Sequence, residues 1–147
     1  MRRGLGDSFE LDDDRSRIDR EAVHRYLSEE SYWARGRPRD VQDALVESSQ
    51  RVVGLYYEGR QVGFSRTVTD GHVHAYLADV YVLEEFRGRR LGVELVRFSV
   101  EESPFARCRW VLHTADAHEL YRKFGFAEPD ERLLERPTAG TEESSEV

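Results

Sequence analysis

Residues 78–92, Ala-Asp-Val-Tyr-Val-Leu-Glu-Glu-Phe-Arg-Gly-Arg-Arg-Leu-Gly, constrain this chain more than any other stretch. They begin as an apolar strand, pass a short acidic turn and end in a cationic loop carrying Gly88 and Gly92. From Arg90 onward, Leu91, Leu95 and Phe98 recur every three to four residues, the period of a helix with one apolar face. A strand that feeds a Gly/Arg loop and then a helix aims unpaired backbone N–H groups and the helix dipole at one point. That arrangement holds an anion. Arg87, Gly88, Arg89 and Arg90 therefore read as a pyrophosphate cradle. Its spacing is not that of the common nucleotide loops, since both G-x-x-x-x-G-K-[ST] and G-x-G-x-x-G are absent.

The elements around this stretch follow from patterning. Residues 8–11 suit a short strand, and Asp12-Asp13-Asp14 reads as solvated charge, because the alternating ligands of a calcium loop are missing. Asp19 is an N-cap for a helix with Val23, Tyr26 and Leu27 on its apolar face. Pro38 is expected at the first position of a second helix carrying Val41, Ala44 and Leu45. Between them, residues 31–37 place Tyr32, Trp33, Arg35 and Arg37 in one loop, a composition that suits a substrate wall or a pin between helices and sheet. Residues 51–58, 61–69 and 72–82 read as an antiparallel meander, with Asp70-Gly71 as a two-residue hairpin turn and Gly54 and Gly63 as points of bulge or close backbone approach.

A helix over roughly 90–102 ends at Ser103-Pro104. Residues 107–114 form the next strand, parallel to 73–82 through a right-handed crossover. Ala117, Leu120, Tyr121 and Phe124 predict another short helix, stopped by Gly125 and covered by Phe126. A last strand is expected at 132–136. One domain then covers residues 1–136, with a disordered acidic tail over 137–147.

Composition narrows the function. At 147 residues, 39% apolar and 35% charged, the chain is long enough for one core and has no apolar run of membrane-spanning length. The N-terminus lacks the apolar core of a signal peptide, so a cytoplasmic location is expected. A net charge of −7 argues against a nucleic-acid partner. Cys108 is the single cysteine, and His72 and His74 have no third ligand in the pattern, so no metal is expected.

Arg87-Gly88-Arg89-Arg90-Leu91-Gly92 resembles the acyl-CoA signature [Q/R]-x-x-G-x-[G/A] of the GCN5-related N-acetyltransferases (GNAT). Arg87 and Gly92 match it. Arg90 stands at the usual middle glycine, a place where a right-handed helical backbone would accept an arginine. Residues 114–126 are similar to the family's second signature, with Tyr121, Gly125 and Phe126 matching residue by residue. The predicted order β, α, α, β, β, β, α, β, α, β is also the family's, so the resemblance covers about residues 8–136. It implies an α/β (α+β) fold with a mixed, mostly antiparallel twisted sheet of six to seven strands and about four helices. The pattern resembles a small stand-alone bacterial-type member.

The resemblance further implies acetyl-CoA as co-substrate, with Val80, Tyr81 and Val82 holding the pantetheine arm by their backbone and residues 87–92 (Arg87, Gly88, Arg89, Arg90, Leu91, Gly92) holding the pyrophosphate. One N–H from Val80 to Val82 would polarise the thioester carbonyl. Tyr121 matches the family tyrosine that protonates the leaving thiolate, which a phenol of pKa about 10 can do at neutral pH. Asp79, a charge in an apolar run, is a candidate base or a partner for an arginine such as Arg66. Trp33, Arg37, Arg66, Asp70 and His113 are candidate substrate-binding residues, and His113 alternatively a hydrogen-bonded sheet residue. The expected activity is acetyl transfer to a small-molecule amine. An acyl-CoA-binding module without turnover and a protein Lys or N-terminal acetyltransferase remain alternatives, and a homodimer is left open.

Overall fold

The computed structural model describes residues 1–138. Six strands lie in one sheet in chain order: β1 (Arg2–Gly6), β2 (Phe9–Asp12), β3 (Arg51–Tyr57), β4 (Arg60–Thr69), β5 (His74–Val82) and β6 (Arg109–Val111). Neighbours are antiparallel except β5 and β6, which are parallel as the crossover predicts. Four helices accompany them: α1 (Arg20–Glu29), α2 (Arg39–Ser48), α3 (Leu91–Val100) and α4 (His118–Arg122).

Each face of the sheet is covered by helices whose apolar residues seal it. On one face Leu91, Leu95 and Phe98 of α3 pack on Leu11, Leu55 and Val82, while Val96 and Val100 meet Leu77 and Tyr121. On the other face Val23 and Leu27 of α1 and Val46 of α2 cover Val52, Phe64 and Tyr81. Each fully buried Leu or Phe contributes about 1.5–3 kcal/mol, so α3, buried on nearly every side, anchors the fold. Asp19 caps α1 by accepting from Ala22 N at 3.0 Å, as expected.

Several sequence expectations need correction. β1 was not expected: residues 7 and 8 both take positive φ (52° and 69°) and turn β1 back onto β2 without a glycine in the turn itself. Pro38 is the N-cap of α2, one position earlier than expected. The β4–β5 connection spans residues 70–73 instead of two residues. β6 is only three residues long. No strand forms at 132–136, where Asp130 captures Arg132 N at 2.9 Å in a turn and Leu133 and Leu134 remain exposed. Two adjacent leucines cannot both face a core from a pleated strand. Of the expected acidic tail, residues 139–147 lie outside the described residues.

Both expected close approaches are present. A Cβ on Gly63 would stand 2.9 Å from Tyr81 O, and one on Gly54 would stand 2.3 Å from the Tyr56 hydroxyl. The Tyr56 ring thus lies folded over Gly54 under the Arg17 guanidinium, 3.9 Å from the ring centroid. Its hydroxyl is buried with no hydrogen-bond partner among the described residues, and burial pushes its pKa up to about 12. Removing an unpaired buried hydroxyl costs little. Tyr56→Phe should therefore leave stability within about 0.5 kcal/mol of wild type or raise it by about 1 kcal/mol, as read by urea unfolding, and a loss above about 1 kcal/mol would contradict this.

Candidate active site

The sheet opens at its β5–β6 seam. Among the described residues the two strands pair only over His74–Tyr76 and Arg109–Val111, after which β5 runs on from Leu77 to Val82 with no partner on that flank. The opening begins close to a bulge. The β4–β5 register shifts between Phe64 and Arg66, and Asp79 opposite that shift has φ 54°, a left-handed value foreign to a regular strand. A bulge adds local twist and bends the strand that carries it. The backbone of Val80 to Val82 leaves the bulge toward the loop at 87–90.

That loop ends in a cradle of donors. The amides from Gly88 to Val93 make no hydrogen bond among the described residues, and the first bond of α3 runs from Glu94 N to Arg90 O at 3.2 Å. Gly88 has φ 80° and Arg90 has φ 62°, ψ 13°. Arg90 is thus left-handed and caps α3, which corrects the right-handed backbone expected for it. It adopts, at some strain, the conformation that glycine takes freely, so its side chain departs from the signature while its backbone does not. Arg87 is tied down, donating from Nε to Val82 O at 3.0 Å and from Nη2 to the Tyr26 hydroxyl at 2.9 Å. Arg89 lies over the Phe86 ring at 5.7 Å. A Cβ on Gly92 would meet only Leu120, at 4.0 Å, which agrees with the signature's allowance of Ala there. A cavity of about 360 Å³ adjoins Arg89 and Leu91 on the side of Phe9 and Tyr57, away from Trp33, His113 and Tyr121.

At the seam itself, a cavity of about 50 Å³ is lined from both faces of the sheet. Leu77, Val80 and Tyr121 contribute from the α3 side and Tyr32 and Trp33 from the α1–α2 loop, with His113 and Asp116 beyond the end of β6. Tyr121 is buried, yet its hydroxyl makes no hydrogen bond among the described residues. Burial, with smaller contributions from Tyr32 and Asp116, raises its pKa above the ordinary phenol value, so it holds its proton at neutral pH. The Tyr32 hydroxyl accepts from Ala115 N at 2.8 Å and bridges the α1–α2 loop to the β6–α4 loop. His113 has both ring nitrogens engaged, Nδ1 with the Tyr76 hydroxyl and Nε2 with Glu135 at 2.5 Å.

Behind Trp33 lies a buried charge cluster. The Asp79 carboxylate has no solvent exposure. Its Oδ1 accepts from Trp33 Nε1 at 2.9 Å, and its Oδ2 accepts from Arg66 Nε at 2.6 Å and Arg37 Nη1 at 2.9 Å. Burial alone would raise its pKa, but the two guanidinium charges and their hydrogen bonds hold it below the ordinary 3.8. Arg37 also donates to Gln42 Oε1 at 2.9 Å.

A family model for the GNAT acetyltransferases matches residues 13–126. The chain belongs to the GNAT family. A GNAT-family protein from Xanthomonas campestris pv. campestris is 34% identical, with a TM-score of 0.83 over 90% of this chain and 94% of that one. Lower-identity structures share the fold. A GNAT acetyltransferase from Elizabethkingia anophelis, solved with acetyl-CoA bound, is 16% identical with a TM-score of 0.62, covering 84% of this chain and 79% of that one. Glucosamine-6-phosphate N-acetyltransferase from Arabidopsis thaliana is 15% identical with a TM-score of 0.59, covering 87% and 97%. No curated protein sequence matches.

Within this GNAT chain, the residues expected from sequence divide clearly. Trp33, Val80, His113 and Tyr121 meet at the seam cavity, and residues 87–92 form the cradle. Asp79 is not poised to take a proton: both its oxygens are occupied and its carboxylate stays ionised. Asp70 is a turn residue away from the cavity lining. It accepts from the amides of Val73, His72 and His74, which pull its pKa down to about 2. Arg37 and Arg66 serve the Asp79 cluster. Sequence reasoning did not single out Thr114, Asp116 or the cavity-facing Leu77 and Leu112, although the first two lie within the second signature. Among the described residues no group of His, Cys, Asp and Glu is placed to hold a metal, and no helix is long and apolar enough to cross a membrane.

Removing one member of a buried ion cluster strands the others. Asp79→Asn should cost about 3–5 kcal/mol in urea unfolding at neutral pH. Because the folded pKa of Asp79 lies below 3.8, its contribution is fully present above that value and is lost as pH falls through the folded value. The gap between wild type and Asp79→Asn should therefore narrow in acid, and a gap that widens there would contradict the cluster.

Proposed function

We propose that this GNAT-family chain moves the acetyl group of acetyl-CoA directly to the amine of a small molecule. The observation that carries the reading is the continuity of three unpartnered groups. The amides from Gly88 to Val93 lead into the open flank of β5, which leads to the free Tyr121 hydroxyl in the seam cavity. The cradle amides, with Arg89 and Arg90, would hold the pyrophosphate by donor N–H groups and helix dipole together. The open flank at Val80 to Val82 would pair with the pantetheine amides and offer one N–H to the thioester carbonyl.

When bound, acetyl-CoA supplies an acetyl group already activated as a thioester. The chain's own part is positioning and proton supply. Holding amine and carbonyl in line removes about 7–11 kcal/mol of barrier in favourable cases. As the C–N bond forms and the C–S bond breaks, the Tyr121 hydroxyl donates its proton to sulfur. The surplus proton on the new amide nitrogen passes to water, from which the phenolate recovers its own. A cavity of about 50 Å³ has room for an acetyl-sized group.

Two variants test the parts separately. Tyr121→Phe should lower kcat by about 10- to 10⁴-fold in a thiol-release assay while calorimetry shows acetyl-CoA affinity nearly unchanged; full activity would remove Tyr121 from the chemistry. Arg89→Ala should weaken CoA more than it weakens pantetheine, which lacks the pyrophosphate. Equal weakening of both would place Arg89 away from the phosphates.

A further inference from the structure

The charge count around Asp79 does not balance. One carboxylate, fully buried, faces two guanidinium groups whose side chains are 13% (Arg37) and 8% (Arg66) exposed. Among the described residues neither arginine has another anionic partner, and the remaining neighbours, Gln42 and Trp33, are neutral. The cluster therefore holds one surplus positive charge largely away from water, which is costly unless an anion meets it. The surplus also has an address. Arg66 spends its Nε on Asp79, while its two terminal nitrogens make no hydrogen bond among the described residues. Such a pair of parallel N–H donors fits a carboxylate.

We propose that the acceptor amine carries a carboxylate and that the terminal nitrogens of Arg66 bind it, making the substrate class amino acids or close analogues. The inference rests on the acetyltransferase reading above and specifies its acceptor. Arg66 shares the Asp79 carboxylate with Trp33, and Trp33 lines the cavity that holds Tyr121, so a hydrogen-bonded chain links the arginine to that cavity. Asp116, in the cavity lining beside Tyr121, supplies the opposite pole for the incoming amine. A zwitterionic acceptor would find a partner for each end.

Matched pairs differing only in the carboxylate provide the test: tyrosine against tyramine, phenylalanine against phenethylamine, histidine against histamine, each with acetyl-CoA in the thiol-release assay. The acid member should be favoured by about 10- to 1000-fold in kcat/KM. Arg66→Gln should shrink that preference by raising KM for the acid member while the KM for acetyl-CoA holds. Because Arg37 and Asp79 remain a balanced pair, this variant is expected to fold, with a thermal melt as the check. Calorimetry with CoA present adds a readout free of turnover: N-acetyltyrosine should bind wild type more tightly than N-acetyltyramine.

Equal or better use of the decarboxylated amines, or an unchanged preference in Arg66→Gln, overturns the proposal and leaves the acetyltransferase reading standing. Silence of every amine while CoA binds overturns acetyl transfer itself. In that case a calorimetric preference for the N-acetylated acid still supports the carboxylate site, and its absence overturns that as well.

Discussion

A single carboxylate with no access to water organises the half of this molecule that carries the seam cavity. Asp79 sits on a left-handed bulge of β5, and its two oxygens gather Trp33, Arg37 and Arg66 from the α1–α2 loop and β4. The bulge lies just past the point where β5 stops pairing with β6. One ionic cluster therefore fixes the bend in the strand, the loop that walls the cavity and the orientation of the indole within it. Ionised carboxylates are buried only where partners repay the lost hydration, and here two cations and an indole N–H do so.

The cradle works on a different principle. Its donors are main-chain amides, whose directions depend on the φ and ψ of residues 88–90 more than on their side chains. Arg90 shows how far that independence reaches. A bulky cation occupies a glycine position of the signature, yet it takes up the left-handed geometry required there and adds charge near the helix N-terminus. The two halves of the site thus respond differently to substitution: the carboxylate cluster depends on residue identity, the cradle on backbone shape.

Much of this was legible in the chain. The Gly/Arg loop after an apolar strand located the cradle, and Tyr121 fell at the cavity because the helix period and the second signature agree on its place. The pairing of Asp79 with Arg66 could be named from burial cost alone. What escaped was set by long-range geometry. β1 reads Arg-Arg-Gly-Leu-Gly, with little strand propensity, and forms through a turn whose positive-φ residues, Asp7 and Ser8, carry no glycine signal. The fate of Asp70 was hidden because a turn aspartate and a binding aspartate look alike in sequence; only the three amides around it tell them apart. Asp116 joins Tyr32 and Trp33 at the cavity through loops that meet in space and not in sequence.

The two outer strands carry one more consequence. Open sheet edges invite another chain to pair with them and can seed fibrils. At one margin β6 offers only three residues, too few to template a lasting ladder. At the other, β1 presents Arg2, engaged with Glu10, and glycines at positions 4 and 6, a charged and weakly structured border. The same short β6 that leaves the seam open thus offers little edge of its own for another chain to pair with.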